Sequence, residues 1–133
     1  MTLGPEDRKS LIILRMERAR ATAAEARLLF KGSMFPGAVN RIYYSMFYAL
    51  TALAVAEGFS SGKHGRLLGW FNKQFVKAGI IDIRYSKIIF RAFSKRMDGD
   101  YEAYSEFTET EVREMLGELD DFIAEIEKLL KSM

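Results

Sequence analysis

Arg96 is the residue of this sequence whose setting most invites chemistry. On a helical wheel at about 100° per residue, Tyr85, Ile88, Ile89, Ala92 and Phe93 share one arc, and Arg96 falls in the middle of it. A guanidinium does not deprotonate and is costly to bury alone, so an arginine on an apolar face has to pair, snorkel or line a cleft. Asp98, Asp100, Tyr101 and Tyr104 follow closely and offer carboxylates to pair with it and phenols to stand beside it. Two readings fit. A cation in the last turn of a helix is favoured by the helix dipole and by the free carbonyls there. An arginine beside a phenol also suits a phosphate of a nucleic-acid backbone.

Arg84, Lys87, Arg91 and Lys95 occupy a different arc of the same segment and make a basic stripe. A solvated helix face and a nucleic-acid contact both explain such a stripe. The charge distribution bears on the second: residues 58–97 hold nine basic side chains against Asp82 alone, while residues 98–133 hold three basic and twelve acidic ones. The net charge of +2 therefore conceals a dipole along the chain, and its positive part is the part that suits a polyanion in a salt-sensitive way.

His64 is the one histidine and the one side chain whose ordinary pKa suits proton transfer near neutral pH. It stands at the start of a periodic segment in phase with Leu67 or Leu68, Phe71 and Phe75, so packing or capping is its first expectation and catalysis its second. Arg41 and Tyr44, near the head of an apolar stretch, are further candidate site residues. There is no cysteine, which excludes disulfides and thiolate nucleophiles, and with one histidine no dedicated metal site or other cofactor is expected. Glu111, Glu114, Glu118, Asp121 and Glu125 follow helical spacing opposite an apolar seam and read as a solvated face. The sequence has neither a glycine-rich phosphate loop nor a Gly-x-Ser-x-Gly elbow.

The elements that must position these residues are helices. Residues 36–57, PGAVNRIYYSMFYALTALAVAE, carry no charge from Ile42 to Ala56 and are apolar on every side, the pattern of a buried helix. Asn40 and Arg41 stand too near its start for a membrane span of about 20 apolar residues. Ser45, Ala49, Ala52 and Ala56 form a ridge of small side chains along it, where another helix can approach closely. Residues 5–31 repeat Ile12, Met16, Ala19, Ala23, Ala26 and Phe30 at steps of three and four, an amphipathic helix broken by Gly32 and Pro36. A third helix is expected from Lys63 to Gly79. A fourth is capped by Asp82 and stops in the turn MDGD, where Gly99 tolerates a tight bend. A fifth starts at Thr108, with Glu111 three residues on as in a capping box. No strand pattern and no internal repeat appears. The expectation is one all-α domain over residues 1–133, an up-and-down bundle of four or five helices around residues 36–57. The N-terminus, MTLGPEDRKS, lacks the basic start and apolar run of a secretory signal, so a cytoplasmic location and no membrane association are expected.

Taken together, AVNRIYYSMFYALTALA, KHGRLLGWFNKQFVKAGIID, FRAFSKRMDGDY and the closing acidic helix resemble a HEPN domain (higher eukaryotes and prokaryotes nucleotide-binding), in its small stand-alone prokaryotic branch. The resemblance covers roughly residues 8–130. It implies a helical bundle that forms a homodimer and acts as the toxin partner of a minimal nucleotidyltransferase antitoxin. Active members resemble one another in an Arg-x(4 to 6)-His motif that makes them metal-independent endoribonucleases. Arg96 matches the arginine of that motif, while Tyr101 stands where the histidine belongs. A phenol titrates near 10, which makes it a poor general base at neutral pH, although it can donate a proton or orient a phosphate. Arg96, Tyr101 and Asp100 are thus the expected site for RNA phosphate or a nucleotide. Cleavage of RNA and binding or partner docking without cleavage are both open. A helical adaptor whose basic face meets an acidic protein is a third reading.

Overall fold

A computed structural model describes residues 3–101 and 106–133, with the side chain of Tyr101 outside that description. The helices are α1 (Pro5–Lys31), α2 (Phe35–Glu57), α3 (His64–Phe71), α4 (Ile83–Tyr101) and α5 (Glu109–Lys131), and no strand occurs among the described residues. The all-α bundle expected from the sequence is thus the observed architecture.

Helix α2 is its centre. It packs against α1, α3, α4 and α5, and Val39, Ile42, Met46, Leu50 and Leu53 are almost wholly withdrawn from solvent. Apolar residues all round the wheel predict burial on every side, but Tyr44, Tyr48, Thr51 and Val55, on one side of α2, are only half-buried. Its small ridge meets the buried Ala19, Ala23 and Ala26 of α1. The close approach is fixed by the Ser45 hydroxyl, which donates to the Ala19 carbonyl at 2.6 Å and so satisfies a buried polar group. Gly58 stops α2 in the left-handed conformation, at φ +73°, which a glycine adopts without strain.

Two stretches depart from expectation. The third helix widens after Phe71 into a turn over Asn72–Val76, in which Lys77 N donates to the Asn72 carbonyl five residues back. Asn72 is held there by its side-chain oxygen, which accepts from the Ser86 hydroxyl of α4 at 3.0 Å. Helix α4 does begin at the expected cap, with Arg84 N donating to Asp82 Oδ1 at 2.8 Å. It does not stop at residues 97–100, however, but runs on through Asp98, Gly99 and Asp100 to Tyr101. The reason for Gly99 is space rather than a bend: a Cβ there would stand 3.1 Å from Phe107 Cε2. Its continuation carries Asp100 one helical turn beyond Arg96.

Helix α5 starts as expected, with Thr108 Oγ1 accepting from Glu111 N at 3.1 Å. The Glu111 side chain reaches Lys95 at 2.9 Å.

Candidate functional site

Arg96 is buried, with 8% of its surface exposed, and three rings surround it. Its guanidinium carbon lies 5.1 Å from the Tyr43 ring centre, 5.4 Å from Phe93 and 5.5 Å from Tyr44. Cation–π attraction of this kind strengthens where water is excluded. One turn on, Asp100 supplies the opposite charge, with Nη1 to Oδ2 at 3.4 Å. Arg96 Nε is buried and has no hydrogen-bond partner among the described residues.

The helix facing α4 completes the cluster. Asn40 Nδ2 donates to both Asp100 oxygens at 3.3 Å, and Arg41 donates to Asn40 Oδ1 through Nε at 3.0 Å and Nη2 at 2.7 Å. Arg41 also lies over the Tyr44 ring at 5.2 Å. The polar pair at the head of an otherwise uncharged helix is therefore part of the site. Its two cations and one carboxylate leave a net positive charge, suited to one phosphate.

His64 enters from the first position of α3. Its ring stacks on Phe47 at 4.1 Å and 9°, and its Nδ1 lies 2.6 Å from the Tyr43 hydroxyl. Burial pushes the Tyr43 phenol far above its ordinary value, against the charge of Arg96, which favours the phenolate. The phenol therefore keeps its proton, and the hydrogen bond between it and Nδ1 runs in the direction that the imidazole tautomer sets. Burial first, and then the Arg96 charge, hold the His64 pKa below its ordinary 6.5. A neutral imidazole carries one N–H and one lone pair, and with Nδ1 engaged by Tyr43 any further contact of His64 is made through Nε2.

The sequence candidates thus separate into two groups. Arg96, Asp100, His64, Arg41 and Tyr44 meet at one end of α2, joined by Asn40 and Tyr43. Tyr101 closes α4 beside them, and its side chain, like all of Tyr104, lies outside the described residues. Asn40 and Tyr43 were not singled out by sequence reasoning. The signal available for Tyr43 was a phenol in a helix buried on every side, which needs a hydrogen-bond partner.

The basic stripe lies on another face of α4, against α5. Arg84 pairs with Asp121, Arg91 with Glu118 at 3.1 Å and Glu114 at 3.9 Å, and Lys95 with Glu111. The carboxylates of α5 expected to be merely solvated are therefore partners of the stripe. Lys87 shares a shallow groove with Arg84, Arg91 and Glu118. Among the described residues, no group of three metal-ligating side chains forms, and no helix is long and apolar enough to cross a membrane.

The model of the HEPN domain matches residues 13–129. The chain belongs to the HEPN family. Among its HEPN relatives, a UPF0332 protein of Thermotoga maritima is 37% identical over 127 residues, 96% of each chain. Two proteins of Methanocaldococcus jannaschii carry the name "Putative toxin". One is 31% identical over 117 residues, 88% of this chain and 80% of its own. The other is 30% identical over 118 residues, 89% of this chain and 87% of its own. The HEPN match spans the whole Arg96 cluster.

Proposed function

We propose that this HEPN protein is the toxin-like member of a toxin–antitoxin pair with a minimal nucleotidyltransferase, and that its Arg96 site binds RNA phosphate and cleaves the chain without a metal. For the first part, the relatives named as toxins support the toxin-like role, and the nucleotidyltransferase partner is what the resemblance implies. The observation that carries the second is Arg96 itself: a permanent cation, buried among rings, with Nε unpartnered and Asp100 fixing its fork.

In such a reaction the 2′-hydroxyl gives its proton to water as it attacks the adjacent phosphorus, the bond from phosphorus to the 5′-oxygen breaks to leave a 2′,3′-cyclic phosphate, and charge grows on the phosphoryl oxygens. Arg96 offsets that charge in a water-poor setting, where electrostatic stabilisation is strongest. We assign Asp100 to orienting Arg96, and Tyr101, at the position that the resemblance gives to the motif histidine, to giving a proton to the leaving 5′-oxygen and regaining one from water. Arg84, Lys87, Arg91 and Lys95 are a secondary contact for the same RNA, weakened by the carboxylates of α5.

We infer a homodimer with the site near its interface. Ile83, Phe90 and Met97 are exposed at seven-residue steps along α4, a spacing that keeps them on one side of the helix. Met97 directly follows Arg96. A cytoplasmic location goes with this reading.

Binding without cleavage is the second reading, and the Tyr43–His64 bond favours it. The one imidazole is engaged through Nδ1 in that bond, and its pKa is held below the ordinary 6.5.

The test is incubation of the purified full chain with transfer RNA and messenger RNA in EDTA, beside Arg96→Ala, Arg96→Lys and Tyr101→Phe. Cleavage that falls by about 10² or more in both arginine variants is the expected result. RNA retention that depends on Arg96 but produces no cut ends would establish the second reading. Neither cleavage nor Arg96-dependent retention would overturn both.

A further inference from the structure

We propose that the cleft between α1 and residues 58–61 binds a small organic phosphate monoester, at a site separate from Arg96. The cleft has a volume of about 480 Å³, within the range of small-molecule sites. It lies at the C-terminal end of α2, where Thr51, Ala54 and Val55 form its wall; Asn40 and Tyr43 are at the other end of that helix.

Two arginines face this cleft. Arg8 and Arg15 both line the cleft, seven residues apart and so on the same face of α1. Neither has an ion-pair or ring partner among the described residues. The contrast within the same helix is sharp: Arg20 pairs with Glu127, Arg27 with Asp120, and Arg18 lies over Tyr48. Arg15 Nε is moreover buried without a hydrogen-bond partner, a state that is costly unless a ligand answers it. No carboxylate lines the cleft.

The other side explains the rest of the ligand. Ser60 and Ser61 bring hydroxyls to the cleft, while Phe59 and Leu67 make an apolar surface. The Phe59 ring is held by stacking on Trp70 at 4.9 Å and 7°. Two guanidinium forks call for a group that carries two charges and several acceptor oxygens, which a phosphate monoester does and the singly charged diester of an RNA backbone does not. The apolar half calls for a body of carbon on that phosphate.

The experiment is an amide and arginine Nε–H NMR titration of the full-length labelled chain with phenyl phosphate, inorganic phosphate and phenol at constant ionic strength. The expected result is saturable shifts at Arg15 Nε–H and at Ser60 and Ser61, with phenyl phosphate binding at least tenfold more tightly than inorganic phosphate. Arg15→Gln and Arg8→Gln each weaken it at least fivefold, and Arg96→Lys leaves it unchanged. Arg8→Gln, near the helix start, carries the test should Arg15→Gln fail to fold. Shifts of equal size with phenol, wild-type affinity in Arg8→Gln, or shifts centred on Arg96 would overturn the proposal. So would binding of an RNA bearing a 5′-monophosphate where phenyl phosphate does not bind.

Discussion

The Tyr43 hydroxyl and His64 Nδ1 share a hydrogen bond at 2.6 Å, joining the most buried phenol of α2 to the one histidine of the chain. The same phenol ring lies against the Arg96 guanidinium, so the two residues also connect the α3 start to the α4 cation. Burial and the Arg96 charge favour neutral His64, and the bond to Tyr43 engages Nδ1, so any further contact of the ring is made through Nε2.

The pH dependence of stability follows from this. The folded pKa of His64 is held below its unfolded value of about 6.5, by burial and by Arg96. Between the two values the unfolded chain binds more protons, so stability rises with pH through that window. No penalty remains above about pH 6.5, and the full penalty is present below the folded pKa. Wild type is expected to lose more melting temperature than His64→Gln between pH 7.5 and pH 5; parallel losses would contradict the assignment. In Arg96→Gln one of the two causes of the low His64 pKa is gone, so an NMR titration should find it raised toward its ordinary value.

The α4–α5 contact predicts a charge-swap result. Arg91→Glu places a third carboxylate beside Glu114 and Glu118 and should lower stability by about 1 kcal/mol, the upper range for exposed pairs. Combining it with Glu118→Arg should recover most of that loss, and 1 M salt should shrink the difference. Thermal unfolding of the two variants reads this directly. RNA retention by the double variant should stay near wild type if Arg96 carries the phosphate.

The exposed row on α4 predicts an effect on assembly. Phe90→Asp with Met97→Asp should halve the mass seen by light scattering at micromolar concentration and leave the melting curve of the dilute protein nearly unchanged. Both side chains are open to solvent within one copy. A monomeric wild type would remove the homodimer reading.

Local pattern alone was enough for the helices. The seam of α1, the uncharged length of α2, the Asp82 and Thr108 caps and the buried row of α5 are each set by residues within a turn or two of one another, where spacing translates directly into a shared face. Arg96 was legible for the same reason, as a cation in an apolar arc. Where α4 ends was not legible, because Gly99 fits a tight bend and a close approach equally well. The choice between them was made by Phe107, a residue beyond the end of the helix. The pairing of the basic stripe with α5 was equally hidden, since two charged faces that are solvated alone become partners only when the helices lie side by side. Above all, His64 lies far from Arg96 along the sequence. Tertiary packing brought His64 to Arg96, because α2 supplies in Tyr43 and Phe47 both the hydrogen bond and the ring on which the imidazole rests.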